Sequence, residues 1–321
     1  MFFEDVNIGD RLPSISLELT VTRMVMLACA VRDLMPQHHD GDYARAHNAR
    51  DMFVNTFSYA GFFNRLIADW AGAGARLKKL GFRMSDVNCP GDIMTASGSV
   101  TKKYVIDKDK CVDLEVSISN QHGLTTTGSG CVSFSPGRNV AAKGTTIPHG
   151  EDKLPGEFEK LIGTEVDLGW GPDMVCKPAI RYWCEALEDG NPLYHDEEFA
   201  KKHGYGGVIA PPTMTPAFCQ PPLWPPQAEM ARADEKIRLD LPVGMVQFVE
   251  FEYFSPILIG DRLRRIEKLF AVSEIKLTRR GKGRFITTQH LIYNQNETLV
   301  ATRTNTTFRY PRISVPKDQT K

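Results

Sequence analysis

The chain has no excess charge of either sign, no long apolar run and no paired-cysteine motif. Its 39 lysine and arginine residues are balanced by 39 aspartate and glutamate residues, so the charge pattern predicts no nucleic-acid partner. No run approaches the roughly 18 apolar residues of a membrane span, and the first residues lack the basic and apolar regions of a signal peptide. Seven scattered cysteines without a CxxC favour free thiols in a reducing cytoplasm. Metal-ligand spacing, a Walker loop and a nucleophile elbow are also missing, so we expect neither a metal nor a cofactor.

A motif that occurs twice is the most informative feature of the chain. Asp33-Leu-Met-Pro-Gln-His-His-Asp40 returns 156 positions later as Asp189-Gly-Asn-Pro-Leu-Tyr-His-Asp196. The two Asp positions and the Pro are kept, but His38 of the first copy is replaced by Tyr194 in the second. One copy therefore has two titratable side chains for acid/base chemistry, and the other has lost half of the pair.

The repeat extends over most of the chain. Residues 82–92 match residues 251–261 at an offset of 169, and residues 120–134 match residues 294–308 at an offset of 174. Offsets that only increase indicate two homologous domains with insertions in the second, whereas a solenoid would need three or more short repeats.

The two halves are predicted to be separate domains of the same architecture. We place a first domain at 1–136, a linker rich in Pro, Gly, Lys and Thr at 137–156, and a second domain at 157–313. In each half, a helical region precedes a series of strand-like segments. The predicted strands are 15–22, 92–106, 111–119, 124–134, 244–255, 262–273, 284–294 and 298–309. This order indicates an α+β fold in which an antiparallel sheet wraps round a helix.

The central helix differs between the halves. Residues 55–70 are apolar nearly all round, which is typical of a helix buried on most sides. The matching part of the second half carries seven prolines between Pro211 and Pro226. Proline removes an N–H donor and clashes with the preceding turn, so we predict a short or broken helix there.

The repeated motif resembles the Asp-x-Asn-Pro-x-His-x-Asp signature of the MaoC-like, (R)-specific enoyl-CoA hydratases, although Met35 stands in place of the family's Asn. The resemblance covers nearly the whole chain and extends to the actinobacterial hydratases of steroid side chains. Those enzymes have two MaoC-like subunits, and the resemblance implies that the two are fused in this chain. It implies a double hot-dog fold, an acyl-CoA substrate and a first domain that is catalytic. A homodimer of such double hot-dogs is compatible with it.

Hydration of an α,β-unsaturated thioester needs a base for water, an acid for Cα and donors for the thioester oxygen. The resemblance assigns the water to Asp33 and His38. We assign His38 as the base, since histidine titrates near neutral pH, and Asp33 as the proton carrier; the two roles can be exchanged. His39 is predicted to be structural, because His195 occupies the same place in the other copy.

The donors for the thioester oxygen are expected at the start of the central helix, where N–H groups are unpaired. Asn55 is the predicted N-cap and Thr56 the first helical residue. The family's His-Gly pair falls at these two positions by resemblance. The same count from Asp189 gives Pro211 and Pro212, which have no N–H to donate. The second copy has thus lost its histidine and its donor together, which indicates a non-catalytic partner domain.

The broken helix is predicted to leave an apolar cavity between the domains, lined by Phe218, Leu223 and Trp224. Such a cavity would admit a bulky acyl group, for example a steroid side chain. Two alternatives stay open: a 3-hydroxyacyl dehydratase acting on a carrier-protein or CoA thioester, and a non-catalytic acyl-CoA-binding or scaffolding subunit. The intact Asp33 and His38 favour an enzyme.

Overall fold

A computed structural model describes residues 1–135, 156, 158–225, 232–278 and 281–311 of the chain. The helices are α1 Val21–Val31, α2 Gly41–Ala46, α3 Thr56–Ala71, α4 Lys177–Leu187, α5 Glu197–Lys202 and α6 Glu235–Asp240. The strands are β1 Arg11–Glu18, β2 Arg76–Met84, β3 Ile93–Ile106, β4 Asp109–Asn120, β5 Gly123–Ser133, β6 Glu165–Trp170, β7 Ile209–Ala210, β8 Val243–Tyr253, β9 Ile257–Leu258, β10 Arg264–Val272, β11 Lys276–Thr278, β12 Gly281–Tyr293 and β13 Leu299–Tyr310. The predicted linker, apart from residue 156, lies outside the described residues.

One antiparallel sheet runs through both halves of the chain. Its strand order is β1-β3-β4-β5-β2-β8-β13-β12-β10-β6, with β11 paired to β12, while β7 and β9 form a separate ladder. The strands up to β5 belong to the first half and the later ones to the second. The two halves therefore meet where β2 pairs with β8, and the sheet has no free edge at the domain boundary.

The register of β2 against β8 shows how the halves are related. Gly81 pairs with Glu250, and these two residues match each other at the repeat offset of 169. Leu80 pairs with Phe251, which is the repeat counterpart of Phe82. In the same way, Phe82 pairs with Val249, which is the repeat counterpart of Leu80. An approximate two-fold axis thus passes between β2 and β8. Lys79 adds an ion pair to Glu250 across this boundary, with Nζ 2.9 Å from Oε1.

Helix α3 fills the concave side of the first half. Most of its residues are buried, and Phe62, Phe63 and Leu66 are fully buried. Gly61 allows the helix to approach α4 of the other half, since a Cβ there would lie 2.6 Å from the Trp183 ring and 2.3 Å from Leu187. Helix α3 therefore packs against both halves of the chain and not only against its own half.

The second half has no counterpart of α3 among its described residues. Only two short 3-10 turns, Pro212–Met214 and Ala217–Cys219, occupy the matching segment, which confirms the predicted break. The predicted strands are also confirmed within a few residues at each end, except that β1 lies four residues before the predicted 15–22, because Thr20 caps a helix that begins at Val21. Strand β2 was not predicted, because Lys78, Lys79 and Gly81 weaken the strand pattern in a segment that β5 and β8 hold from both sides. No helix in the described segments is long and apolar enough to cross a membrane.

Candidate active site

Asp33 is placed by the end of α1. Arg32 closes the helix in the left-handed conformation, with φ at 57°, and the Asp33 N–H donates to the Ala28 carbonyl at 3.0 Å. This arrangement is a common helix stop. It turns the Asp33 side chain away from the helix axis and leaves it 18% exposed.

His38 ends a 3-10 turn that begins at Pro36. Proline suits the first position of such a turn, because its fixed φ is already helical and its missing N–H has no partner to lose there. The turn brings His38 back toward Asp33, and the imidazole is 9% exposed. Its Nδ1 lies 2.8 Å from the carbonyl oxygen of Phe53. A carbonyl can only accept, so Nδ1 carries the hydrogen and Nε2 is left with a free lone pair.

Asp33 and His38 form the pair that the sequence predicted. Nε2 of His38 lies 3.6 Å from Oδ2 of Asp33, which is too long for a direct hydrogen bond. One water molecule can nevertheless lie within hydrogen-bond reach of both atoms. Burial lowers the pKa of His38 from its usual 6.5, although the Asp33 carboxylate and the Phe53 carbonyl act in the opposite direction. A neutral imidazole facing a carboxylate is an arrangement that can take a proton from water.

Asn55 and Thr56 stand at the start of α3. Asn55 is the N-cap of α3, and its Oδ1 accepts from the Ser58 N–H at 2.9 Å. Its Nδ2 donates to the Leu27 carbonyl of α1 at 3.4 Å, which ties the start of α3 to the helix that precedes Asp33. Thr56 is the first residue of α3, so its N–H has no intrahelical acceptor. The helix start can therefore donate to an oxyanion.

The second copy of the motif has a different environment. Asp189 is 4% exposed, its Oδ2 has no hydrogen-bond partner, and burial raises its pKa to about 6. The Tyr194 hydroxyl accepts from Nδ2 of Asn64 at 3.2 Å, so this site packs against α3 of the first half. Pro211 and Pro212 stand where Asn55 and Thr56 stand in the first copy. This second site has neither an imidazole nor a helix N–H to offer.

The flanking positions of the two copies are alike. Nε2 of His39 lies 3.2 Å from the Leu34 carbonyl, and Nε2 of His195 lies 3.4 Å from the matching Gly190 carbonyl. Asp40 caps α2 and Asp196 caps α5 through the same side-chain contact. The matching bonds in both copies indicate that these residues hold the loop, so the copies differ at His38 and at the helix start rather than here.

The cavity between the halves lies at the second motif. It has a volume of about 60 Å³, and Asn64, Ile67, Tyr194, Tyr253 and Val300 are among the residues that line it. This is small beside the roughly 300–1,000 Å³ of ligand pockets.

The predicted pocket residues lie elsewhere. Phe218 is buried at 5% exposure, whereas Leu223 and Trp224 are exposed by 63% and 81%. Leu223 and Trp224 therefore do not line an enclosed cavity, a correction to the prediction. Pro221 and Pro222 explain it, since consecutive prolines hold the chain extended and carry it to the surface.

Residues that sequence reasoning missed are Asn64, which binds Tyr194, and two buried arginines of the second half, Arg265 and Arg303. A signal existed for Arg265, since Arg265, Glu267 and Leu269 alternate at inward positions of β10. Across the described residues, no group of three or more His, Cys, Asp or Glu side chains could hold a metal ion.

The sequence is similar to named proteins over parts of its length. Residues 160–303 match the family described as FAS1-like, dehydratase domain region. The 3-oxo-4,17-pregnadiene-20-carboxyl-CoA hydratase beta subunit of Mycobacterium tuberculosis is 38% identical over 94 residues, which are 29% of this chain and 73% of that protein. A Thermomonospora curvata protein named probable enoyl-CoA hydratase alpha subunit is 35% identical over 140 residues, 41% of this chain and 44% of that protein. The chain thus spans less than half the length of the latter relative.

Solved structures resemble the chain over nearly its full length. A Chloroflexus aurantiacus protein described as a MaoC domain dehydratase superposes with a TM-score of 0.70 at 12% identity, covering 98% of both chains. A Mycobacterium tuberculosis protein described as having a double hotdog fold gives a TM-score of 0.65 at 11% identity, covering 97% of this chain and 98% of the other. At these identities the likeness shows the fold alone, and it confirms the predicted double hot-dog.

The role of Asn55 at the start of α3 can be tested by stability. We expect Asn55→Ala to lower the free energy of unfolding by about 2 kcal/mol, the upper end for an N-cap, since its partners are buried. Asp196→Ala removes an exposed cap on α5 and should cost about 0.5–1 kcal/mol. Urea titration of both variants gives the comparison. An equal loss in the two variants would show that Asn55 does no more than an ordinary surface cap.

Proposed function

This chain belongs to the MaoC-like hot-dog family, and from that premise we propose that it hydrates a 2-enoyl-CoA thioester at the Asp33–His38 site of its first half. The observation that carries the proposal is the pair itself. Nε2 of His38 and Oδ2 of Asp33 lie 3.6 Å apart, beside the free N–H groups at the start of α3. The relatives named as enoyl-CoA hydratase subunits support the same reaction.

The residues can divide the reaction as follows. Water held between Asp33 and His38 loses a proton to Nε2 of His38 while its oxygen bonds to C3 of the enoyl group. The electron pair of the C2–C3 double bond moves through C2 to the thioester oxygen. The Thr56 N–H donates to that oxygen, assisted by the positive end of α3. The imidazolium of His38 passes the water proton to the Asp33 carboxylate 3.6 Å away, and Asp33 delivers it to C2, so both side chains return to their starting state.

The reverse reaction uses the same groups, so dehydration of a 3-hydroxyacyl thioester is a second candidate for this site. The Phe53 carbonyl fixes the tautomer of His38 in which Nε2 is free to accept a proton. This free Nε2 favours either direction of the reaction over a purely scaffolding role. A scaffold would have no need of an unpaired Nε2 facing a carboxylate. Assay with purified enoyl-CoA and 3-hydroxyacyl-CoA thioesters distinguishes the two directions by their equilibrium and rates.

Removal of either member of the pair should abolish most of the activity. We expect Asp33→Asn and His38→Gln each to lower the turnover number at least about a hundredfold, the low end for general acid–base catalysis. Tyr194→Phe and His195→Ala change the matching positions of the second copy and should leave the turnover number almost unchanged. Steady-state kinetics on an enoyl-CoA substrate measures all four variants. Near-normal activity in a folded Asp33→Asn or His38→Gln variant would contradict the assignment.

The pH profile follows from the burial of His38. As a base, His38 must be neutral, and burial lowers its pKa below 6.5. Activity should therefore persist as the pH falls through 6.5 and decline only at a more acidic pH, where the imidazole takes up a proton. The acidic limb of kcat/KM against pH reports this pKa in the free enzyme. An acidic limb above pH 6.5 would show that the imidazole is not the buried, neutral base.

We also propose that the acyl group is bulky, such as a steroid side chain. The short turns at Pro212–Met214 and Ala217–Cys219 take less room than a helix of the length of α3. The Mycobacterium tuberculosis relative is named for a pregnadiene-carboxyl-CoA substrate, which supports this choice. We expect a higher kcat/KM for a steroid enoyl-CoA than for crotonyl-CoA. A clear preference for crotonyl-CoA would contradict the proposal of a bulky substrate but would agree with the proposed hydratase activity.

A further inference from the structure

Four ionisable side chains lie inside the second half of the sheet. Arg265, Glu267, His290 and Arg303 are exposed by only 5%, 1%, 3% and 8%. Glu267 pairs with His290 and His290 with Arg303 in the strand register, so these three form one row across β10, β12 and β13. At the repeat offset of 169, Arg265 stands where the first half has Ala96. The second half therefore buries charge where the first half packs a methyl group.

The single carboxylate of this cluster is already engaged. Oε1 of Glu267 accepts from the Ala233 N–H at 3.0 Å. Its Oε2 lies 3.6 Å from Nη1 of Arg232 and 3.7 Å from Nε2 of His290. Burial lowers the pKa of His290 well below its usual value, so this imidazole is neutral and leaves Arg232 as the cationic partner of Glu267.

Arg265 and Arg303 feel the charge of Glu267 but share that one carboxylate with Arg232. In the described part of the chain, neither forms an ion pair with a carboxylate, and the Nε of each is buried without an acceptor. Burial, together with Arg265, lowers the pKa of Arg303 to about 9, which still leaves it charged at neutral pH. Unpaired buried guanidinium groups are costly and are normally matched by an anion. Two such groups in one interior point to an anionic ligand.

The two arginines lie next to the proposed active site. The Arg303 guanidinium lies over the ring of Phe57, 5.1 Å from its centroid, and Phe57 follows Thr56 at the start of α3. Both guanidinium groups also lie close enough to the Cys219 thiol to lower its pKa, against the larger opposing effect of burial. Cys219 ends the second turn of the broken helix.

The same broken segment contacts the other side of the active site. Arg32 donates to the carbonyls of Gln220 at 3.2 Å and Pro221 at 3.3 Å, and the next residue is Asp33. The segment 217–221 is therefore bordered by Asp33 on one side and by the two arginines on the other. Gln220 stands at the repeat position of Asn64, so a full helix like α3 would have passed through this place.

We propose that Arg265 and Arg303 bind a carboxylate at the far end of the acyl group, an inference that rests on the hydratase function above. The substrate is then an enoyl-CoA whose acyl group ends in a carboxylate. Guanidinium groups match a carboxylate through paired N–H donors. The phosphates of coenzyme A are a less suitable source of the anion, because the nucleotide is too large to enter the interior in which both arginines are buried.

The test compares enoyl-CoA thioesters of matched chain length that end in a carboxylate or in a methyl group. The wild-type chain should prefer the carboxylate in kcat/KM, and Arg265→Met or Arg303→Met should lower that preference at least about thirtyfold, the low end for a truncated buried charge pair. Arg264→Met is the control, since Arg264 lies on the outer face of the same strand and pairs with Asp167. Arg303→Lys, which keeps a point charge, should retain part of the preference.

Each result decides a different question. Equal kcat/KM for both thioesters in the wild-type chain would overturn the proposal. An equal loss on both thioesters in Arg303→Met would assign the anion to coenzyme A phosphate and also overturn it. If the wild-type chain hydrates no enoyl-CoA, the proposed function fails, and the anion site is decided by binding alone. In that case adipate should raise the Tm of the wild-type and Arg264→Met chains but not that of Arg303→Met, and no shift in any of them would refute the site.

Discussion

The pairing of β2 with β8 is the interaction on which the rest of the structure depends. It joins the two halves into one sheet and sets the approximate two-fold axis between Gly81 and Glu250. Because of that axis, the motif of each half faces the central segment of the other half. Tyr194 reaches Asn64 on α3, and Arg32 beside Asp33 reaches the chain after Cys219. The two motifs therefore occupy equivalent places about the axis, but one faces the continuous helix α3 and the other faces short turns.

The duplication separates two tasks that a single hot-dog domain would combine. The first half keeps a continuous α3, whose N-cap Asn55 is bonded to α1, and so keeps a rigid helix start beside Asp33 and His38. The second half has exchanged its helix for short turns and has lost the imidazole at Tyr194. In the reaction proposed above only the first half supplies an imidazole, so prolines at 211 and 212 remove no donor that this reaction uses. The freed segment can instead shape the space next to the intact site.

The burial of charge in the second half follows from the same exchange. A complete central helix would require an apolar inner face, as Ala96 and Phe82 provide in the first half. Once the helix is broken, inward positions on β10, β12 and β13 can hold Arg265, His290 and Arg303. Asp189 shows the opposite outcome at the second motif, where α3 covers the carboxyl group and burial raises its pKa to about 6. In both sites, the other half of the chain thus determines which ionisable side chains are buried.

The sequence by itself determined the duplication, the closeness of Asp33 and His38, the cap at Asn55 and the break in the second central helix, while the double hot-dog followed from the family resemblance of the motif. These depend on local rules: a fixed motif spacing, N-cap chemistry and the missing N–H of proline. The tertiary structure alone decided that β2 is a strand, that Leu223 and Trp224 lie at the surface, and that Arg265 and Arg303 share one interior beside Phe57. Those features join residues far apart in the chain, and only the register across the two-fold axis brings them together.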